Sequence, residues 1–357
     1  MAVAAASMGK RRNPVVAEDR KAGLIFILPA MAVFLVFIFG AILFVMYLSL
    51  HDYKLLQQGG IWQVFTDPGN TWVGLGNYRE LFQSADFWKA FRNTSWYALG
   101  VVPAQTVTSL VLAVLANRKI RGRGFFRTAF YFPSISSSVV ISIIFLWMFS
   151  QRGAINYVLR TLGFPTPRPV WLANPNGVLE LLLPGNQPTW LEGPSMAMLT
   201  IMLLNIWATT GTLMVVFLAG LQNVPGDVYE AAALDGASRF RQFLDITIPL
   251  LKPVITFVIT VGLIGTFQVF DQIWVMSEGG PQKTTTTVAY LVYVEGFRQG
   301  RGLGYASAIA TVLFFFILTL YLIQRKLTDE KVEDTKATQA TAQALNVAPS
   351  AAGGGPT

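Results

Sequence analysis

The stretch GTFQVFDQIWV groups a carboxylate, two amides and aromatic rings within eleven residues, at 265 to 275. Gln268, Asp271 and Gln272 are three and four residues apart, so we expect them to share one side of a helix, with Trp274 nearby. Carboxylate and amide groups bond hydroxyl groups, and an aromatic ring stacks on the apolar face of a sugar. We expect these residues to line a path for a substrate that carries hydroxyl groups. The alternative is that Asp271 lies at a helix end and reaches water or caps a neighbour.

A second polar group lies in the apolar run before residue 220. It consists of Asn205, Trp207 and Thr209, followed by Thr210 and Gly211. These side chains are candidates for the same substrate path. Small and hydroxylated residues also serve helix packing inside membranes, and that alternative stays open.

The residue inventory excludes several kinds of chemistry. The chain has no cysteine, and His51 is its one histidine, which we expect at the membrane interface. Thiol chemistry, zinc sites and histidine relays therefore lack the residues they need. We expect this chain to bind no cofactor and no metal.

The composition is typical of a membrane protein. Of 357 residues, 53% are hydrophobic and only 13% are charged. Long gaps between charged residues can each hold a helix of about 20 residues, enough to cross a hydrocarbon core of about 30 Å. The sequence predicts an all-α membrane protein with about six transmembrane helices. The expected spans are 24–49, 93–116, 129–150, 195–220, 253–276 and 305–324.

The basic residues set the expected orientation. The net charge is +8, and lysines and arginines are more frequent on the side that holds both termini. This bias places the termini in the cytoplasm and explains the basic residues as contacts of lipid headgroups, without a nucleic acid partner. We expect a cytoplasmic segment at 1–23, a transmembrane domain at 24–326 and a disordered cytoplasmic tail at 327–357. The outer loop at 151–194 is rich in proline and glycine and predicts short helices and turns.

One expected cytoplasmic loop has an unusual polar sequence, EAAALDGASRFRQFLDITIP, beginning at Glu230. Ala231 and Ala232 favour a helix, while Asp235 and Gly236 favour a turn that ends it. A second short helix follows before the next span. This helix pair fits a groove in a cytoplasmic partner, or alternatively rests on lipid through its apolar side chains.

The same stretch resembles the EAA loop of permeases from ABC importers, whose pattern is EAA, three residues, G, nine residues, then I, one residue and LP. Here the pattern is met by Glu230, Ala231, Ala232, Gly236, Ile246 and Pro249. Ile248 in place of leucine is the one departure.

Further motifs are similar to those of the sugar permeases related to the maltose, lactose and glycerol-3-phosphate systems. The resemblance runs from about residue 24 to about residue 326 and favours the first of the two usual permeases. The motifs are GLGNY at 74–78, NTSWY at 93–97, RGFFRTAFYFP at 123–133, LAGLQNVPGDVYEAA at 218–232 and FDQIWVMSEGGPQKTTT at 270–286.

The resemblance implies a role in a multi-subunit importer of the bacterial cytoplasmic membrane. The EAA loop would dock on a separate subunit, present in two copies, that binds ATP and magnesium. A second permease and an extracytoplasmic sugar-binding protein would complete the assembly. The chain itself has no GxxxxGK[ST] loop for a nucleotide phosphate, so it is not expected to be an enzyme.

Other functions have weaker support from the residues. The predicted spans two to six contain no arginine or lysine between their flanking residues, which favours a neutral sugar. Import of glycerol-3-phosphate stays open, because helix N-termini can also hold phosphate. A membrane-embedded enzyme would need paired carboxylates or a nucleophile with a base. A stand-alone secondary transporter would be expected to show duplicated halves and several buried ionisable groups.

Overall fold

The computed structural model describes residues 14–54, 66, 72–118, 121–164, 170–182, 193–298 and 301–347. These residues form helices, and their only β-type pairings are two isolated bridges, His51 with Trp72 and Gly177 with Ser195. The predicted all-helical membrane fold is confirmed. The expectations for residues 1–13 and 348–357 fall outside the described residues.

The first helical rod consists of α1 (Pro14–Val33), a π-helical segment (Phe34–Phe39) and α2 (Gly40–Leu48). Its membrane-crossing part, Ile25–Leu48, contains no buried residue in its most apolar window. The end of this rod, α2, packs against the last long helix of the chain.

The next helices are α3 (Gly76–Gln83) and the long α4 (Ala85–Asn117). The hydroxyl of Ser84 accepts a hydrogen bond from the Phe87 amide and so caps α4, satisfying one of the free donors at its start. α4 is 33 residues long, so it extends beyond the expected span at both ends.

The expected span at 129–150 is two helices, α5 (Arg123–Ile135) and α6 (Ser138–Met148), which meet at 99°. The chain is extended at Ser136, directly after the last turn of α5, and Pro133 lies in that turn. Proline cannot donate a backbone hydrogen bond, and its ring restricts the preceding residue, so the helix is weakened at this point.

Two short helices, α7 (Ala154–Thr161) and α8 (Val178–Leu182), lie in the expected outer loop and precede α9 (Met196–Gln222). α9 packs along α4 and α5. Gly211 allows the close contact with α5, because a Cβ at this position would collide with the carbonyl oxygen of Phe130.

The following segment consists of α10 (Gly226–Leu234), α11 (Arg239–Gln242), a π-helical turn (Phe243–Thr247) and α12 (Ile248–Leu250). We refer to residues 226–250 as the EAA segment. It meets α13 (Lys252–Phe267) at a bend of 67° between Arg239–Leu250 and Lys252–Phe267.

The last part of the fold contains α14 (Asp271–Met276), α15 (Val288–Tyr293), a π-helical turn (Val294–Arg298) and α16 (Leu303–Val347). α16 runs to Val347, whereas the sequence predicts disorder from residue 327. Residues 328–347 lack apolar bulk, and alanine and threonine are their commonest residues with four each. No glycine or proline interrupts the chain between Leu327 and Pro349, so nothing in the sequence breaks the helix there.

Within the described residues, four helices are long and apolar enough to cross a membrane, or up to six crossings if each bent pair counts as one. The four are Ile25–Leu48, Ala85–Asn117, Met196–Gln222 and Leu303–Leu327. A buried cluster that includes Tyr97, Phe145, Ile201 and Ile273 joins α4, α6, α9 and α14. This core fixes the positions of the short and broken helices.

Candidate functional site

The turn in the EAA segment is built by a left-handed glycine. Gly236 has φ of +79°, and the Ala237 amide donates to the Ala232 carbonyl at 2.9 Å. The Gly236 amide donates to the Ala233 carbonyl at 3.1 Å. These two bonds form the Schellman arrangement that ends a helix, and they confirm the turn predicted at this glycine.

The two arms of the EAA segment are joined by side chains. The hydroxyl oxygens of Tyr229 and Thr247 lie 3.0 Å apart and join the two arms, while Gln242 Nε2 donates to the Ala237 carbonyl at 3.0 Å within the second arm. The pair Arg241 and Asp245 is 3.9 Å apart and exposed, so it contributes little. The hydrogen bonds hold the segment as one unit.

The exposed surface of the EAA segment carries both polar and apolar side chains. Leu234 is 90% exposed and Phe240 is 71% exposed, so both apolar side chains are open to a partner. Among the residues predicted to contact a partner, Ala232 and Ile246 are half-buried. The others are exposed: Glu230, Ala231, Asp235, Gly236 and Pro249.

Gln268, Asp271 and Gln272 do not share one side of a helix, so that prediction is wrong. α13 ends at Phe267, Gln268 and Phe270 have non-helical backbone angles, and α14 begins at Asp271. The break is held by tertiary contacts, because Val269 is buried and its carbonyl accepts a hydrogen bond from Thr287 Oγ1 at 2.9 Å.

The break separates the polar side chains. Gln268 lines a cavity of about 470 Å³ between α13, α15 and α16, whose other walls are mainly apolar. Asp271 is exposed at the first turn of α14, and Gln272 is half-buried beside it.

A row of aromatic rings runs from Trp274 of α14 through Phe270 and Tyr293 to Phe297. The Trp274 ring stacks with Phe270 at a centroid distance of 6.3 Å, and Phe270 lies 5.4 Å from Tyr293. Tyr293 in turn stacks with Phe297 at 5.9 Å. Trp274 and Phe297 are exposed, so the row offers ring faces to a ligand.

Asn205, Trp207 and Thr209 differ in their surroundings: one side chain packs between helices and another lies at the surface. Thr209 Oγ1 donates to Gln105 Oε1 at 2.8 Å and lies 2.8 Å from the Asn205 carbonyl. Asn205 is half-buried, while Trp207 is 50% exposed and lies against Phe145 at 5.5 Å between ring centroids.

Gln105 is a residue that sequence reasoning missed. It is buried on α4, and a Cβ at Gly262 of α13 would collide with its amide nitrogen. Gln105 therefore connects α4, α9 and α13 at one point. Its signal in the sequence is a single large amide within an apolar run.

A cluster of charged residues at the α3–α4 and α15–α16 junctions was also missed. Lys283 pairs with Asp86 at 2.8 Å, Arg298 pairs with Glu278 at 2.8 Å, and Arg301 lies 3.4 Å from buried Glu295. Burial raises the pKa of the Glu295 carboxyl, and the charge of Arg301 opposes that shift.

Comparison with known proteins gives a consistent result. Residues 105–332 match the family described as "Binding-protein-dependent transport system inner membrane component". The chain is 32% identical over 305 residues to the probable ABC transporter permease protein YurN of Bacillus subtilis, covering 85% of this chain and 94% of that protein. It is 33% identical over 305 residues to the lactose transport system permease protein LacF of Rhizobium radiobacter, covering 85% and 92%.

A third relative is the trehalose/maltose transport system permease protein MalF of Thermococcus litoralis, 30% identical over 310 residues, with 87% of this chain and 94% of that protein covered. The fold resembles a bacterial ABC transporter involved in the import of the acidic polysaccharide alginate. The TM-score is 0.68 at 21% identity, and 89% of this chain and 99% of the other are covered.

The family match covers more than half of the chain, and the relatives are aligned over most of their own length. The helices of the described residues agree with a protein that crosses a membrane several times. The chain belongs to the family of inner membrane components of binding-protein-dependent transport systems.

Proposed function

We propose that this chain is a permease subunit that carries a sugar across the bacterial cytoplasmic membrane. The observation that carries the proposal is the EAA segment, a rigid helix pair that projects exposed Leu234 and Phe240. Relatives of this chain include permeases named for the transport of lactose, of trehalose and maltose, and of arabinooligosaccharides. They favour a di- or oligosaccharide as the substrate.

The EAA segment would dock on a separate ATP-hydrolysing subunit. Exposed apolar side chains flanked by Glu230 and Asp235 suit a partner groove that combines an apolar floor with a polar rim. ATP and magnesium would be bound by two copies of that partner, since this sequence has no phosphate-binding loop. Movement of the partner pair would then shift the attached helices between inward-open and outward-open states.

The sugar path would pass the aromatic row and the broken helix. Asp271 and Gln272 supply groups that bond sugar hydroxyls, and Phe270 and Trp274 supply ring faces. Gln268 would contribute from the cavity on the other side of the break. Asn205, Trp207 and Thr209 are proposed as further contacts of the path.

We propose two further partners. A binding protein outside the membrane would deliver the sugar, and a second permease would complete the pathway. Both termini would lie in the cytoplasm, as the distribution of lysine and arginine favours. The EAA segment would then also lie on that side, facing the ATPase.

The test is co-purification with the ATP-hydrolysing subunit of the importer. Glu230→Lys and Leu234→Asp should each weaken the complex, because one reverses a charge and the other places a carboxylate in an apolar contact. Leu162→Asp, an exposed leucine in the expected outer loop, is the matched control and should leave the complex intact. An unchanged complex in both EAA variants would contradict docking through this segment.

Sugar uptake by proteoliposomes that hold the full assembly tests the substrate class. Lactose, maltose, trehalose and an arabinooligosaccharide would be compared, with glycerol-3-phosphate as the charged competitor. ATP-dependent uptake of glycerol-3-phosphate without uptake of any sugar would overturn the sugar assignment.

A further inference from the structure

A small cavity lies where the EAA segment meets the ends of α4 and α9. Its volume is about 220 Å³. Arg118 lines it from the end of α4, and Arg239 lines it from the start of α11. The cavity therefore connects a membrane-crossing helix with the segment proposed to dock on the ATPase.

The charge around this cavity is one-sided. Two guanidinium groups line it, and none of its described lining residues is a carboxylate. Neither Arg118 nor Arg239 forms an ion pair with any residue in the described part of the chain. Asp245, a carboxylate in the same segment, is paired with Arg241 instead. Both arginines are exposed, so an anion from outside the chain can reach them and form charge-assisted hydrogen bonds.

The neutral walls of the cavity are suited to oxygen atoms. Asn117, Tyr229, Gln242 and Thr247 contribute amide and hydroxyl groups. The Tyr229 and Thr247 hydroxyls are already bonded to each other at 3.0 Å, which fixes that wall. The Asn117 amide forms no side-chain hydrogen bond with another described residue and can donate two. Guanidinium forks together with neutral donors match the oxygens of a phosphate group.

We propose that this cavity binds a phosphate group, carried by an anionic phospholipid headgroup or present as free phosphate. The volume is sufficient for a phosphate group, and basic pockets between membrane helices on the cytoplasmic side hold lipid headgroups in other proteins. A lipid source rests on the proposed orientation, which places the EAA segment at the inner leaflet. The bound group bridges Arg118 and Arg239 and so holds the EAA segment against the end of α4.

The experiment measures phosphatidylglycerol retained by the intact importer. The assembly is incorporated into nanodiscs of phosphatidylcholine and phosphatidylglycerol, and lipid bound after release into detergent is counted by native mass spectrometry. The wild type should retain phosphatidylglycerol in preference to phosphatidylcholine. Arg118→Gln and Arg239→Gln should each retain about tenfold less, because each loses one charge-assisted bond.

Arg241→Gln is the matched control, since Arg241 belongs to the same helix but does not line the cavity. It should retain as much phosphatidylglycerol as the wild type. Inorganic phosphate distinguishes the sources: displacement of the lipid by phosphate indicates a site open to the free anion, and resistance indicates a lipid site. Equal lipid retention in the wild type and both Gln variants, with equal binding of inorganic phosphate in calorimetry, overturns the proposal.

Two further variants keep the test decisive if the Gln variants do not assemble. Arg118→Lys and Arg239→Lys retain the charge but lose the paired donors, so retention should fall several-fold. Unchanged retention in both would also overturn the site. The readout requires no sugar, so a negative lipid result leaves the permease proposal intact. If the wild-type chain retains the lipid but does not bind the ATPase, that result counts against the permease proposal alone.

Discussion

The hydroxyl oxygens of Tyr229 and Thr247 lie 3.0 Å apart and connect the two arms of the EAA segment. Tyr229 belongs to α10, and Thr247 is buried in the π-helical turn that leads into α12 and α13. The contact therefore joins α10 directly to the turn that leads into the bend at Leu251, on the far side of the glycine turn.

Tyr229→Phe removes this connection while keeping the ring. We expect reduced sugar uptake at unchanged membrane abundance, because one hydrogen bond between the arms is lost, worth about 1 kcal/mol. Uptake and abundance are measured together in whole cells. Tyr157→Phe, an exposed tyrosine of α7, serves as the control. Normal uptake by Tyr229→Phe would show that the connection has no part in transport.

Gly236→Val tests the left-handed turn. The surroundings of Gly236 are open, so steric contact is not the problem, but a branched residue at φ of +79° is strained by about 1 to 2 kcal/mol or more. We expect the chain to insert normally and uptake to fall. Gly226→Val has equally open surroundings without a positive φ and should transport well. Similar uptake in the two variants would refute the importance of the turn.

Asp271→Ala tests the proposed sugar path. Loss of one charged hydrogen bond corresponds to about 1.5 to 3 kcal/mol, so the apparent affinity for sugar should fall by about tenfold or more. Assembly and basal ATP hydrolysis should remain near the wild-type level. Asp271→Asn, which keeps a hydrogen-bonding oxygen, should lose less. Uptake with unchanged affinity and rate would assign Asp271 to the helix end alone.

Glu295 predicts a specific pH dependence. Burial raises the pKa of its carboxyl, so the folded chain holds this proton to a higher pH than the unfolded chain. The stabilisation is fully present below the ordinary glutamate pKa of 4.5 and is lost as pH rises through the raised value. Thermal unfolding measured across this window should show a falling Tm for the wild type.

Glu295→Gln should flatten that dependence, because the amide does not titrate. Arg301 keeps Glu80 as a partner at 3.3 Å, so the substitution does not leave the guanidinium unpaired. Glu278→Gln, which changes an exposed carboxylate, should keep the wild-type slope. If Tm still falls with pH in Glu295→Gln, a group other than Glu295 causes the dependence.

The helices and the glycine turn could be predicted because their causes are local. Uncharged apolar runs select membrane helices, and Gly236 follows three alanines that favour a helix. The break at 268–270 had no such local signal. It depends on burial of Val269 and on a hydrogen bond from Thr287, which lies 18 positions further along the chain.

The same limit applies to Gln105 and Thr209. Each residue is visible as a polar position in an apolar run, yet their hydrogen bond joins residues 104 positions apart. No periodicity in either helix identifies the partner. Glu295 was missed for a similar reason, since only the folded chain shows that its carboxyl is buried.

The contact between α2 and α16 has a consequence for synthesis. The first rod leaves the ribosome early, but the helix against which it packs is made last. Until then, an apolar helix with no buried residue in its central window must be accommodated by lipid or by the insertion machinery. The closing of the bundle is therefore a late event in biogenesis, and a chain that stops before Leu303 would leave its first helix without this neighbour.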